Sequence, residues 1–571
     1  MRSSASSIDR CRQPRNNDVP ETRMSPLRPR NQLETHDVAN QPPPFEEVNL
    51  FTSDVALQAA VATAGGETHA ERLSAFGART GSAEIAAWAM QANENRPQLK
   101  AFDRYGRRID EVEFHPAYHR LLALGVEAGV SSAAWSGVAS GHVLHAALEF
   151  LMAQAEPSVC CPLTMTSAAP AALKFQPDIA ATWKPKILAS RYDSSSQPMH
   201  SKSGVTIGMA MTEKQGGSDV RANTTRAVKR DDGGYALTGH KWFCSAPMSD
   251  AFLTLAYTDK GLTCFLAPRW TPDGERNAIH LMRLKDKLGD RANASAEIEY
   301  HGAYAQIIGE EGRGVRTIIE MVHHTRFDCI LAPAAYMRQA LANALWHAVH
   351  RTAFQKKLMD QPLMRSVLAD MAIESEAATA LTFLIARSFD ESANESAAAF
   401  ARIATPMGKY WINKRVVNFA YEAMEVHGGA GYIEDSVMTR IYRQSPLNSI
   451  WEGSGNVVCL DILRAIQRDP RSAQELIAEL EKSSGANRWL DRAVSDVKAC
   501  LASQYDEALA RRLAERMALA LQGAILVRNA PGFVSDAFCA TRLCEHPGLS
   551  CGAMDAKIDV DALIGRAMPR L

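Results

Sequence analysis

Three stretches of this 571-residue chain hold residue types that packing alone does not ask for. The first is Met211-Thr212-Glu213-Lys214-Gln215-Gly216-Gly217-Ser218-Asp219-Val220. Paired glycines let backbone approach a ligand closely, and the hydroxyls of Thr212 and Ser218 supply donors for phosphate or a planar ring. The second is Gly239-His240-Lys241-Trp242-Phe243-Cys244-Ser245, an aromatic pair followed by small side chains that could stack beside a cofactor and bond its edge. The third pairs His427-Gly428-Gly429-Ala430-Gly431-Tyr432 with Ile450-Trp451-Glu452-Gly453-Ser454-Gly455-Asn456. A glycine-rich turn between helices can cradle a pyrophosphate on backbone N–H groups. Glu452, between Trp451 and Gly453, reads as a carboxylate in a close-packed loop, where desolvation raises its pKa toward that of a general base. Taken singly, these stretches read equally well as a strand-to-turn connection, a core aromatic and a surface carboxylate.

The elements that must position them follow from periodicity. Residues 45–205 are Ala- and Leu-rich with helical spacing, as in Leu121, Leu122, Val126 and Val130, and predict a helical domain with loops. Residues 206–308 change period. Short β-rich runs at 251–257, 261–267 and 294–300, separated by turns such as Asp231-Asp232-Gly233-Gly234, predict a small antiparallel sheet or barrel. Helical spacing returns over 309–468, with Val315, Ile318, Ile319 and Val322 as a stripe meant for burial. Asp469-Pro470 marks a boundary before a helical extension, 469–571, whose helical texture ends near 529. Residues 1–44, rich in Arg, Pro, Ser and Asn, are expected to be disordered and only mildly basic.

Composition narrows the class. With 46% hydrophobic and 22% charged residues and a net charge of −1, the chain has no global attraction for nucleic acid or anionic membrane. No run approaches a membrane span. The eleven cysteines lack CxxC spacing and read as free thiols of a reducing compartment, so a cytoplasmic, multidomain enzyme is expected. No metal-ligating set is singled out.

The order and separation of the three stretches match one family. MTEKQGGSD resembles the MTExxAGSD pattern of acyl-CoA dehydrogenases, and GHKWFCS resembles their GxKxWIT element. Arg351-Thr352-Ala353-Phe354 resembles RxxF, and HGGAGY with IWEGSGN resembles the GGxGY and IYEGT pair. The resemblance covers roughly residues 45–468. It implies a mainly α fold with a middle antiparallel β domain, an FAD site between that domain and the C-terminal bundle, and a homotetramer. Met211, Thr212, Gly217, Ser218, Phe243, Cys244 and Ser245 would line the flavin and substrate face. Ile450, Trp451, Ser454 and Asn456 would bind flavin around Glu452, while Arg351, Phe354, Gly428 and Gly429 would reach a neighbouring subunit's FAD. Glu452 would be the base that removes the α-proton of an acyl thioester, with a short or branched acyl-CoA as the expected substrate. Some members carry the base just before an Arg on an earlier helix; here that position is Thr325, which cannot serve.

Within the family, the THDVANQPPP segment, LKDKLG, NSIWEGSGN and the extension resemble the AidB branch, which is associated with the alkylation response. That resemblance implies contact between the extension and double-stranded DNA, with Arg511, Arg512 and Arg516 as the best cationic patch. Residues 471–571 hold thirteen Lys or Arg against thirteen Asp or Glu, which leaves the patch equally readable as a solvated helix face. The alternative function is therefore a flavin-containing, DNA-binding protective protein with vestigial dehydrogenase activity.

Overall fold

From Val55 to Ile187 the chain is helical except for one antiparallel hairpin, β1 (Gln98–Phe102) and β2 (Arg108–Glu113). Periodicity predicts only helices and loops here. The hairpin is set instead by local turn chemistry: Asp103 Oδ1 accepts from the N–H groups of Tyr105 and Arg107 at 2.8 and 2.9 Å, and Gly106 takes φ of 80°. Helix Gly141–Ala155 is buried along its whole length, and Cys160–Leu173 nearly so. A helix apolar all round belongs in the middle of a core, which makes the polar side chains it carries conspicuous. This computed structural model describes residues 30–503, 506–554 and 557–570. Residues 30–41 belong to a separate unit whose one bridge joins Gln32 and Asp37, and the expectation for residues 1–29 lies outside the described residues.

The middle region is built from β3 (Ile207–Ala210), β4 (Arg226–Lys229), β5 (Tyr235–Ser245), β6 (Ala251–Thr258), β7 (Gly261–Pro268), β8 (Ile279–Leu284) and β9 (Ser295–Ile308). The strands run in the order β3-β6-β4-β5-β9-β7, β8 pairs with β9, and β7 returns to β6, closing a small barrel. All pairings are antiparallel except β3–β6 and β4–β6.

Helix Gly314–His350 then runs 37 residues and packs with Pro362–Asp390 and Glu395–Val426 as a bundle. Of the stripe expected at its start, Ile318 and Val322 are buried, but Ile319 is exposed. One residue further along a helix turns about 100° away from the packed face. Between the first two long helices lies a hairpin of β10 (Thr352–Ala353) and β11 (Lys356–Lys357).

Asp469 caps helix Pro470–Glu481 where the boundary is expected, its carboxylate accepting from Arg471 N at 3.2 Å. Helix Ala510–Asn529 ends where helical texture is expected to end, yet two further helices follow, Gly532–Arg542 and Val560–Ala567. The extension shares the bundle's apolar core. Trp411 Nε1 donates to Gln522 Oε1 at 3.0 Å, Arg542 pairs with Asp370 and Glu374, and Arg566 pairs with Glu376. Among the described residues no helix is long and apolar enough to cross a membrane.

Candidate active site

Glu452 projects from the loop between the turn Leu447–Ser449 and helix Gly455–Arg468. Both Glu452 (φ 56°) and Gly453 (φ 97°) are left-handed. For a glutamate that conformation costs about 1 kcal/mol, so its surroundings must hold it. Arg326 Nε donates to the Glu452 carbonyl at 2.8 Å. Lys409 Nζ donates to the carbonyls of Asn448 and Gly453 at 2.9 and 2.8 Å. Arg326 is itself anchored by Asp461 at 2.8 Å, which also takes Arg402 at 2.7 Å. The backbone is thus pinned on both sides of the carboxylate.

The carboxylate receives one side-chain hydrogen bond, from Thr325 Oγ1 to Oε2 at 2.8 Å. Burial pushes its pKa up, opposed by Thr325, Arg326 and Lys409. Thr325 therefore holds the Glu452 carboxylate from the earlier helix, a contact the sequence does not announce.

The MTEKQGGSD segment docks on β5 through Trp242 N, which donates to Thr212 O at 2.7 Å. Its Glu213 is the anchor. Lys241 Nζ donates to Glu213 Oε1 at 2.7 Å, with both side chains fully buried. Thr224 N and Thr225 N add bonds of 2.6 and 3.3 Å. Burial alone would raise Glu213, but Lys241 and these donors outweigh it and hold it at about 2. Burial lowers Lys241 to about 8 despite its partner. The two shifts disagree about the pair's worth, yet both groups stay charged at neutral pH. The Glu and Lys of two separate motifs are thus one structural joint that presents the glycine turn.

That turn is open. Gly217 and Ser218 are exposed, and a Cβ on Gly217 would meet Thr212 Oγ1 at 2.6 Å. Along β5, Phe243 faces outward with 47% exposure, beside Lys285 Nζ at 4.7 Å from its ring centre. The pleat turns Cys244 inward, fully buried, which corrects its expected side-chain placement on the flavin face. Ser245 Oγ lies 3.1 Å from Ser295 Oγ. Met211 and Trp451 border the apolar cluster that contains the buried Cys161.

A second group forms where helix Gly314–His350 ends. Arg351 is that helix's C-cap, and the rings of His347 and His427 lie 4.6 Å apart, beside the Gly428-Gly429 turn. Among the described residues nothing lies within 4 Å of a Cβ placed on either glycine; Gly428 needs its φ of 59°, but packing among those residues gives no reason for Gly429. Phe354 is 92% exposed at the tip of the β10–β11 hairpin, and both tip residues, Phe354 (φ 51°) and Gln355 (φ 63°), are left-handed. Ile450 is exposed as well. Open glycines, exposed hydroxyls and an outward aromatic fit the FAD site that the motifs imply.

Ser454 is the N-cap residue of helix Gly455–Arg468 but makes no side-chain cap bond. Asn456 Oδ1 accepts from Arg511 Nε at 2.8 Å, so the first arginine of the expected cationic patch is committed to this edge. Arg516 bonds the Cys500 thiol at 3.6 Å, and Arg512 remains exposed. Two of the three arginines are thus tied to partners within the chain. Gln444 Oε1 accepts from Asp290 N at 2.6 Å, and Pro362 opens helix Pro362–Asp390 at its first turn.

Family models place these regions. The AidB N-terminal domain matches residues 40–194, the acyl-CoA dehydrogenase middle domain 208–303, and the acyl-CoA dehydrogenase C-terminal domain 312–467. The chain is 44% identical to the putative acyl-CoA dehydrogenase AidB of Escherichia coli, over 90% of this chain and 96% of that protein. It is 31% identical to acyl-CoA dehydrogenase family member 11 of Caenorhabditis elegans, over 80% of each. Among solved structures, Caenorhabditis elegans ACDH-11 in complex with C11-CoA superposes with a TM-score of 0.79 at 26% identity, covering 91% of this chain and 94% of that one. The apo-form of Bd2924 gives a TM-score of 0.79 at 29% identity, covering 86% and 99%.

Proposed function

From the premise that this chain belongs to the acyl-CoA dehydrogenase family and is an FAD-dependent oxidoreductase of that type, we propose that Glu452 removes the α-proton of an acyl-CoA. The observation that carries this is the Glu452 loop: a strained backbone pinned by Arg326 and Lys409, and a desolvated carboxylate given a single hydroxyl partner. A carboxylate raised toward neutrality can accept a proton without being stabilised against it. Bound FAD supplies the acceptor for the β-hydride. Ser245, Thr212 and Ser218 offer hydroxyls toward that face, and Trp451 and Met211 wall the apolar side.

The substrate is a thioester with a short, branched or medium acyl chain. The complex of ACDH-11 with C11-CoA supports a CoA ester. The protein acts as a homotetramer in which Phe354, Arg351 and the Gly428-Gly429 turn meet a second subunit's cofactor. The exposure of Phe354 on a strained tip and the absence, among the described residues, of any packing reason for Gly429 support that reading. Duplex DNA is not favoured as a partner, since two of the three arginines of the expected patch are tied to partners within the chain and the extension's charge is balanced.

The test is anaerobic titration of the purified holoprotein with acyl-CoAs of graded length and branching, watching oxidised flavin absorbance, with sedimentation of the same sample. Stoichiometric bleaching by one ester, in a tetramer, is the expected result. Bound flavin that no ester bleaches would overturn the dehydrogenase assignment, and a monomer that retains FAD would remove the shared site.

A further inference from the structure

Helix Gly141–Ala155 is buried over all its residues, yet it carries His145 and Glu149 one turn apart on one face. Asp328, on helix Gly314–His350, meets them. His145 Nε2 lies 3.0 Å from Asp328 Oδ1 and 3.5 Å from Glu149 Oε2, and the three offered atoms all lie within 4.8 Å of one another. Glu149 is 1% exposed, and its Oε2, aimed into this cluster, has no hydrogen-bond partner. Among the described residues neither carboxylate pairs with Lys or Arg. Two carboxylates buried against one imidazole need a compensating positive charge.

The geometry points to a divalent first-row cation, Zn²⁺ or a similar ion, held by His145 Nε2, Glu149 Oε2 and Asp328 Oδ1. Donors about 2.0–2.2 Å from a tetrahedral Zn²⁺ lie roughly 3.3–3.6 Å apart, as His145 Nε2 and Glu149 Oε2 do, and His145 Nε2 and Asp328 Oδ1, now hydrogen-bonded at 3.0 Å, would open slightly around an ion. The surroundings are arranged as for a ligand set. His145 Nδ1 donates to Val130 O at 2.6 Å, so an ion that displaced the proton Nε2 shares with Asp328 would find Nε2 already aimed at it. Thr164 Oγ1, from helix Cys160–Leu173, donates to Glu149 Oε1 at 2.8 Å and turns the other oxygen inward. The mixed nitrogen and oxygen donors suit such an ion better than Mg²⁺ or Ca²⁺, which take oxygen ligands. The ion ties the two helices together one turn from Thr325, the residue that holds Glu452. Its role is to fix that helix pair, outside the flavin chemistry.

The competitor is a proton, which His145 Nε2 and the two carboxylates share where no ion is bound. Untagged full-length holoprotein, stripped with a chelator and re-equilibrated with Zn²⁺ at about pH 8, is assayed for bound metal and melting temperature beside Glu149→Gln and Asp328→Asn. The inference requires about one tightly held Zn²⁺ per wild-type chain, affinity at least roughly tenfold weaker in each variant, and Zn²⁺-dependent melting in wild type alone. Equal uptake by all three proteins, or a wild type that Zn²⁺ neither enters nor stabilises, overturns it in favour of a proton shared between the carboxylates. Should a variant not fold, Co²⁺ on the wild type decides. Visible bands that Zn²⁺ abolishes stoichiometrically support the site, and their absence rejects it.

Discussion

Glu213 and Glu452 are both glutamates enclosed by protein, and the fold treats them in opposite ways. Glu213 receives an ammonium group at 2.7 Å and two backbone N–H donors, and is held at about 2. Beside Glu452, Arg326 and Lys409 direct their donors to backbone carbonyls instead, leaving the carboxylate one hydroxyl. Its pKa rises. The number of donors aimed at the carboxylate, more than burial itself, separates a structural charge from a poised base. Their linkage to pH is opposite too. Glu213 is depressed below its unfolded value, so its contribution is present above about pH 4.3 and is lost as pH falls toward 2. Glu452 is raised, so its charged form costs stability at neutral pH, and that cost is relieved as pH falls through its raised pKa.

The comparison breaks first at the base. Glu452→Gln should slow substrate-driven flavin reduction by roughly 10²- to 10⁴-fold while flavin content stays normal, as read by anaerobic stopped flow. Unimpaired reduction would take the proton-abstracting role away from Glu452. The structural charge comes next. Glu213→Gln leaves the Lys241 ammonium buried without its partner and should cost about 3–5 kcal/mol in denaturant unfolding, with Glu213→Gln/Lys241→Met recovering most of it. A loss below about 1 kcal/mol, or no recovery in the double variant, would mean the pair is not the joint that holds the turn. The smallest effect sharpens the contrast. Thr325→Val removes the hydroxyl that lowers the Glu452 pKa, so the acidic limb of the reduction rate should move to higher pH. At neutral pH the rate should fall by about tenfold or less. A limb that stays in place would show that the hydroxyl does not tune the base.

The site was legible unevenly. The motifs select Glu452, Trp451, Thr212 and Ser245, because a base, an aromatic wall and hydroxyl donors leave their residue types in short windows. They also flag Glu213 and Lys241, but only as members of separate elements. Their partnership spans 28 positions and exists because β5 and the turn before it lie side by side. Cys244 shows the limit inside a motif. Its place in the spelling is clear, but the pleat of β5 sends it into the barrel. The hairpin at 98–113 was missed because periodicity is silent about a turn fixed by one aspartate and one glycine.

By itself the sequence determined the order of helical, β and helical regions, the break at Asp469-Pro470 and the windows that hold the candidate site residues. Periodicity, capping and turn chemistry are local, and local rules survive in one dimension. Tertiary structure alone decided that the extension joins the bundle core and that Arg511 goes to Asn456. It also decided that Thr325 holds the Glu452 carboxylate and that His145, Glu149 and Asp328 converge. These depend on which helix faces meet across more than a hundred residues. Pairwise distance and burial set the charge of each group there, and neither quantity exists until the chain is packed.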